Sequence, residues 1–299
     1  MKSALSTAQK TTTSLSFQDL KEITKHRLSL SVVFSAIAGY LLGAIQVEWF
    51  PLVLLGFGGY CMVGASNAFN QVIERREDAI MDRTRNRPLP AGRMSAQTAL
   101  IIASVLTILG IVSLYFLNPK TAFFGALSII LYICAYTPLK KVTPLSVFVG
   151  AIPGAIPFML GWVAATNEFD IEPGTLFMIQ FFWQFPHFWA LAWMLDDDYK
   201  KAGFKMLPTG EKNKGTLIQI IMYTLWMIVI SLIPALGITG RLHLSLGGAI
   251  LIGLMGMIML VFAFQLYQKR DNKTARKLML ASVSYITLMQ IVFVIDKFV

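Results

Sequence analysis

Three residue types that usually organise soluble proteins are scarce in this chain of 299 residues: it has two cysteines, three histidines and only 14% charged residues. Cys61 and Cys134 both lie within apolar runs, so neither a disulfide framework nor the paired spacing of a zinc finger is present. The low charge content, beside 56% hydrophobic residues, argues against two soluble domains and is typical of a protein embedded in a lipid bilayer.

Long apolar runs recur along the whole chain. Each is about 18–25 residues long, which is enough to cross about 30 Å of hydrocarbon as a helix. We therefore predict an all-α, polytopic integral membrane protein with nine transmembrane helices in a single domain over residues 28–299. The predicted spans are residues 28–47, 50–72, 95–117, 121–138, 143–165, 174–195, 216–238, 243–266 and 277–296.

The basic residues lie almost entirely on one side of these spans. The formal net charge is +10, and all but three of the 26 lysines and arginines lie on the side of the N-terminus. The positive-inside rule then places the N-terminus in the cytoplasm and the C-terminus outside, an orientation expected of a bacterial inner-membrane protein. Because basic loops are routine at membranes, the charge does not indicate a nucleic-acid partner.

The residues before the first span form a cytoplasmic tail and an interfacial lead-in at positions 1–27. A full-length span follows them rather than the short apolar segment of a cleaved signal peptide. Phe17, Leu20 and Ile23 recur at helical spacing, which predicts a short helix lying at the membrane surface.

The end of the second span carries a stripe of oxygen ligands. Asn70, Glu74 and Asp78 are spaced four residues apart, so they share one face of a helix. Such oxygens suit Mg²⁺, which is bound by carboxylates together with water and substrate phosphate. Arginines follow at once, including Arg83 and Arg87, and guanidinium groups bind phosphate in a bidentate manner. This pattern predicts a metal-bridged diphosphate, although ordinary loop charges that pair with one another would look similar.

The sixth predicted span carries a second polar face. Gln180, Gln184 and His187 lie at helical spacing beside Pro186, which should kink the helix. The span ends in the acidic run 196–198, which repeats the acid-bearing end of the second span. Two such ends facing one cavity could hold one or two metal ions on a single diphosphate, while a solvated helix end and a packing histidine are the ordinary interpretations.

These motifs together resemble the UbiA superfamily of intramembrane prenyltransferases. The likeness rests on Asn70-x3-Glu74-x3-Asp78 with RTRNRPLPAG at 83–92, and it extends from about residue 20 to the last span. Two further blocks, YTPLKKVTPLSVFVGAIPGAIPFMLGW at 136–162 and WQFPHFWALAW at 183–193 with DDDYKKAGFKMLP at 196–208, are similar to the branch that prenylates haem. The resemblance implies nine helices around a central cavity, one or two Mg²⁺ ions, and transfer of farnesyl from farnesyl diphosphate to a vinyl group of haem b, with water addition.

The resemblance also implies roles for individual residues. Asn70, Glu74, Asp78 and His187 would be catalytic, and His187 would contact haem through its iron or a propionate. The metal would be held by Asn70, Glu74, Asp78, Asp197 and Asp198. The substrates would be bound by Lys25, Arg27, Arg83, Arg87, Lys140, Lys141, Gln184 and His187.

The chain departs from the family pattern at two places. Met194 stands where the second acidic motif has its first acid, which leaves only Asp198, or Asp197 as a substitute. His26 stands between Lys25 and Arg27 where the family has proline, so the entry into the first span should differ.

Two other functions fit parts of the sequence. Prenylation of an aromatic quinone precursor uses the same acidic motif, but His187 and the block 136–162 favour haem. A membrane transporter would also carry polar residues inside helices, and Pro153 and Pro157 could break the fifth span for that purpose. The expected partners are farnesyl diphosphate, haem b, the bilayer and, among proteins, haem A synthase or oxidase assembly factors.

Overall fold

The structure is a computed structural model that describes residues 16–299, and every regular element in that range is helical. Two short helices follow long ones at the same end of the bundle. The helices are α1 Phe17–Ile23, α2 His26–Gly43, α3 Trp49–Ile73, α4 Arg75–Ile80, α5 Ala96–Leu117, α6 Pro119–Leu139, α7 Ser146–Thr166, α8 Ile171–Met194, α9 Asp196–Lys201, α10 Lys214–Leu236, α11 Leu246–Lys269 and α12 Asn272–Phe298.

The predicted all-α membrane fold is confirmed, and the predicted spans lie within a few residues of the observed helices. Within residues 16–299, eight helices are long and apolar enough to cross a membrane, so the number nine is approached but not confirmed. The remaining long helix is α8, which has 24 residues and lies where the sixth span was predicted. Its glutamines and histidine make its most apolar 18-residue stretch less hydrophobic than that of each of the other eight.

The long helices surround a central cavity. Each helix packs on its neighbours in the chain, and α12 returns to contact both α2 and α8, which closes the bundle. Side chains of α2, α3, α6, α7, α8 and α12 line the cavity. We call the end of the cavity that holds Lys25, Glu74 and Asp198 the mouth.

Glycines allow α2 and α7 to approach closely. A Cβ atom at Gly39 would collide with the carbonyl of Phe158, and one at Gly161 would collide with the carbonyl of Ala36. Small residues at such crossings let helix backbones touch in a membrane, where apolar burial supplies no drive for association. This contact fixes two walls of the cavity relative to one another.

The predicted lead-in forms a short helix where the structure describes it, and the rest of the predicted tail, residues 1–15, lies outside the described range. α1 begins after the cap residue Ser16, and Phe17 is exposed while Ile23 is fully buried. Arg93 anchors this helix by donating to Asp19 and to Glu22, each at 2.7 Å. The lead-in therefore packs on the loop that follows α4.

The prolines do not interrupt the helices that contain them. α7 is continuous through Pro153 and Pro157, and α8 is continuous through Pro186. Pro157 has no N–H to offer the carbonyl of Pro153, and the hydroxyl of Ser128 on α6 donates to that oxygen instead, at 3.3 Å. The broken fifth span that a transporter could use is thus not observed.

Candidate active site

The cavity has a volume of about 760 Å³, and the polarity of its wall changes with depth. Charged side chains surround the mouth, aromatic and aliphatic side chains form the middle, and amides lie deepest along α8. A pocket of this kind, apolar with a few converging polar groups, is the usual form of a ligand site. The wall therefore suits a ligand with an anionic head and a long apolar body.

The acid stripe lies at the mouth and is buried. Asn70, Glu74 and Asp78 are 2%, 5% and 1% exposed, and all three line the cavity. Glu74 accepts from the Lys140 ammonium at 2.8 and 3.1 Å, and Asp78 accepts from Arg87 at 2.9 and 2.8 Å. Buried carboxylates need such partners, because a buried charge without one is costly. The ion pairs keep the stripe in place without a ligand.

Lys140 reaches Glu74 because of an irregular turn in α6. Residues Leu131–Tyr136 form a π-helical segment just before Pro138, whose ring and missing N–H disfavour a regular turn. The segment carries Tyr132 and Tyr136 into the cavity wall, and the Lys140 ammonium lies 4.5 Å from the Tyr136 ring centroid. Burial alone would lower the pKa of Lys140, but Glu74 and the neighbouring tyrosines outweigh it and raise that pKa.

The second acidic helix end supports the loop of the first. Asp198 accepts from the backbone N–H groups of Asp82 and Arg83, at 3.3 and 3.2 Å, and forms an ion pair with Lys201. Burial tends to raise the pKa of Asp198, but these donors outweigh it and hold that pKa below its ordinary value. The basic loop after α4 is therefore fixed across the mouth by a carboxylate from α9.

Two cations at the mouth have no carboxylate partner among residues 16–299. Lys25 and Arg83 both line the cavity, and neither forms an ion pair within the described chain. Lys25 has a left-handed backbone with φ of 45°, a conformation that costs energy in any residue but glycine. That turn joins α1 to α2 and sets Lys25 at the mouth. Burial, with Arg87 and Lys140 nearby, lowers the pKa of Lys25 to about 7.

His187 lies deeper, on α8, and its tautomer follows from its contacts. Its Nδ1 is 2.8 Å from the hydroxyl of Ser282 on α12, and that hydroxyl donates its single proton to the Met279 carbonyl at 2.7 Å. The hydroxyl oxygen must therefore accept from Nδ1–H, which leaves Nε2 with a lone pair. Trp183 stacks on the imidazole at 5.0 Å and donates to the Ser282 carbonyl, so the ring is held on two sides.

Most of the residues that the sequence singled out meet in this one cavity, and three do not. The lining residues are Lys25, Asn70, Glu74, Asp78, Arg83, Arg87, Lys140, Gln184, His187 and Asp198. Arg27, Lys141 and Asp197 are exposed and lie outside the lining, and their roles at the site stay predictions. For Asp197 the reason is helical geometry, since it points about 100° away from its neighbour Asp198 on α9.

The structure also brings residues to the cavity that the sequence analysis missed. Tyr132, Tyr136, Tyr199 and Gln290 line it, and the first two lie within the π-helical segment. The proline after the run LYICAYT indicated an irregular helix end, and Gln290 is a lone amide in the last apolar run. Both signals were present, but neither specifies which wall the residue joins.

The donors at the mouth fit Mg²⁺ only in combination with a ligand. No three acidic, histidine or cysteine side chains gather closely enough within residues 16–299 to bind a metal ion by themselves. Mg²⁺ does not require such a cluster, because it is commonly held by one or two carboxylates, water and substrate phosphates. The Asn70 amide donates to Thr137 Oγ1 at 3.2 Å, so its oxygen remains available beside Glu74 and Asp78.

A membrane-embedded helical bundle with acids and cations together at one mouth of its cavity defines the class of protein to which this chain belongs. Residues 32–289 match the UbiA prenyltransferase family, and the chain belongs to that family. Proteins named protoheme IX farnesyltransferase are similar over nearly the whole chain. The one from Christiangramia forsetii is 65% identical over 94% of both chains, and the one from Flavobacterium johnsoniae is 63% identical over 94% of this chain and 95% of its own.

Solved structures share the fold at low sequence identity. A structure from work on digeranylgeranylglyceryl phosphate synthase has a TM-score of 0.77 at 18% identity, covering 94% of this chain and 98% of its own. A UbiA homologue from Archaeoglobus fulgidus bound to DMAPP and Mg²⁺ has a TM-score of 0.66 at 15% identity, covering 92% and 99%. These likenesses support the helical arrangement.

Proposed function

We propose that this protein is an intramembrane, Mg²⁺-dependent prenyltransferase that transfers farnesyl from farnesyl diphosphate to a vinyl group of haem b, with addition of water. The observation that carries this proposal is the pairing, in one cavity, of a mouth lined by acids and cations with His187, whose Nδ1 lies 2.8 Å from the Ser282 hydroxyl. The high identity to proteins named protoheme IX farnesyltransferase supports the choice of haem as acceptor.

The mouth suits the diphosphate. Lys25 and Arg83 offer unpaired positive charge, and Lys140 and Arg87 become available when their carboxylates bind something else. One or two Mg²⁺ ions, held by Asn70, Glu74 and Asp78, would neutralise charge on the leaving diphosphate, while Asp198 fixes the loop opposite. Cations placed in advance around a developing anion lower the barrier because they need not reorganise during the reaction.

His187 suits the haem iron better than a propionate. With its proton held on Nδ1 by Ser282, the imidazole has no Nε2–H to donate to a carboxylate, but it has the lone pair that a metal ligand needs. The aromatic and aliphatic middle of the cavity would hold the farnesyl chain and keep bulk water from the allylic cation.

We place the mouth at the cytoplasmic face of a bacterial inner membrane, with the C-terminus outside, because the basic residues lie on the side of the mouth. Residues 28–299 then form one membrane domain with nine spans. Haem A synthase or oxidase assembly factors are the protein partners that we propose, because they would consume a farnesylated haem or incorporate it.

The test is incubation of the purified protein, in liposomes, with Mg²⁺, farnesyl diphosphate and haem b. Mass spectrometry should detect a haem adduct of farnesyl plus water, together with released diphosphate. Haem titration should also show the absorption change of histidine ligation, and His187→Ala should lose it while remaining folded. Prenylated hydroxybenzoate or naphthoate with no haem adduct would overturn the haem assignment in favour of a quinone precursor.

A further inference from the structure

Beyond His187, the cavity wall carries three buried glutamines. Gln180, Gln184 and Gln290 are 7%, 2% and 1% exposed, and all line the cavity. Gln290 on α12 donates from Nε2 to Ser35 Oγ at 3.1 Å and to Gln180 Oε1 at 3.2 Å. We call Ser35, Gln180, Gln184 and Gln290 the glutamine patch.

The hydrogen bonds of the glutamine patch leave specific atoms unpaired. Gln184 Nε2 donates to the carbonyls of Ala151, at 2.9 Å, and of Gln180, at 3.2 Å, so both its protons are used. Within residues 16–299, Gln184 Oε1 and Gln180 Nε2 have no hydrogen-bond partner. The patch thus presents an amide N–H₂ and an amide oxygen to the cavity, one helical turn apart on α8.

Polar atoms in a largely apolar cavity are stabilised when something polar binds them. Gly154 on the facing helix α7 makes room for the Gln184 oxygen, since a Cβ at that position would collide with it. A small molecule that both accepts and donates hydrogen bonds matches the pair, and water, which needs two to four polar partners, meets this requirement.

We infer that the glutamine patch binds the water molecule that adds to the haem side chain. The inference rests on the proposed function. In the reaction, the C–O bond of farnesyl diphosphate breaks with its electron pair leaving on the diphosphate. The π electrons of the haem vinyl group form the new C–C bond. The vinyl carbon next to the porphyrin is left cationic, a water lone pair forms the C–O bond to it, and the released proton ends on the diphosphate.

The position of the glutamine patch suits this step. Gln184 lies three residues deeper than His187 on the same helix face, a rise of about 4.5 Å, so it would lie beside the rim of a porphyrin whose iron is bound by His187. Water held by the glutamine patch would approach the cationic carbon from a single direction. Without that water, the cation is expected to lose a proton from the adjacent carbon and give an alkene instead of an alcohol.

The test measures which of the two products forms. Gln180→Met and Gln184→Met keep most of the side-chain volume and remove the amide. Each should raise the ratio of dehydrated to hydroxylated farnesyl-haem by about tenfold, the effect of one lost hydrogen bond near a charged group. Mass spectrometry separates the products by the mass of one water, and ¹⁸O-labelled water marks the origin of the oxygen. The ratio does not depend on how much of each variant folds.

The matched control is Gln71→Met. Gln71 is also buried and also donates to backbone carbonyls, but it does not line the cavity. Its variant should keep the hydroxylated product. Hydroxylated product alone from both patch variants, or the same rise in dehydrated product from the control, would overturn the inference. If the wild-type protein forms no haem adduct at all, the proposed function itself fails.

Discussion

The two acidic helix ends look alike in sequence, but they occupy different positions at the mouth. At the first end, Glu74 and Asp78 are buried and paired with Lys140 and Arg87, which are groups that can turn to a ligand. At the second end, Asp198 is committed to two backbone N–H groups of the first loop. The comparison indicates that the first end binds the ligand and the second end positions the loop that helps it.

The largest expected effect comes from Asp78→Asn at the first end. It removes a proposed metal ligand and leaves Arg87 without its carboxylate, so we expect a loss of turnover of about 1000-fold, measured with saturating substrates.

Breaking the pair also lowers stability, and Asp78→Asn combined with Arg87→Gln should recover stability without activity. Asp19→Asn, which breaks a buried ion pair outside the cavity, should keep turnover. Near-normal turnover of folded Asp78→Asn would contradict the assignment.

A smaller effect is expected at the second end. Asp198→Asn keeps one acceptor but points an amide N–H₂ at the other backbone donor, so the loop with Arg83 should loosen. We expect the KM for farnesyl diphosphate to rise about tenfold with a smaller change in kcat, since one charged hydrogen bond contributes about 1.5–3 kcal/mol. If Asp198 were a ligand equivalent to Asp78, turnover would instead fall as far as it does in Asp78→Asn.

The pH dependence of substrate binding should reveal Lys25. Its pKa of about 7 means that the ammonium is present below that pH and is lost as the pH rises through it. A diphosphate binds the charged form, so the KM for farnesyl diphosphate should rise several-fold as the pH passes above 7 at constant Mg²⁺. Lys25→Arg, which stays protonated, should flatten this profile. An unchanged profile in Lys25→Arg would assign the pH dependence to another group.

The smallest effect is expected for Asp197→Asn. Asp197 is exposed and does not line the cavity, so the KM and kcat should change by less than about twofold, the range of an ordinary surface substitution. Measured beside Asp198→Asn, this variant tests whether one acid of the run 196–198 alone faces the mouth. A loss as large as that of Asp198→Asn would restore Asp197 to the metal site.

Much of the fold and part of the site could be predicted because they depend on local periodicity. Run length alone located the spans, and the four-residue spacing alone placed Asn70, Glu74 and Asp78 on one face. Lys141 and Asp197 were named by the resemblance and lie outside the cavity lining, because a motif match identifies residues without showing which way they face.

The sequence by itself determined the membrane fold, the family and the acid stripe, since each follows from run lengths, motifs and spacings that are local along the chain. Only the tertiary structure decided that Asp198 holds the loop, that Ser282 leaves Nε2 of His187 unprotonated, and that Gln290 joins the glutamine patch. These contacts join residues about a hundred or more positions apart, and packing of whole helices brings them together rather than any local pattern.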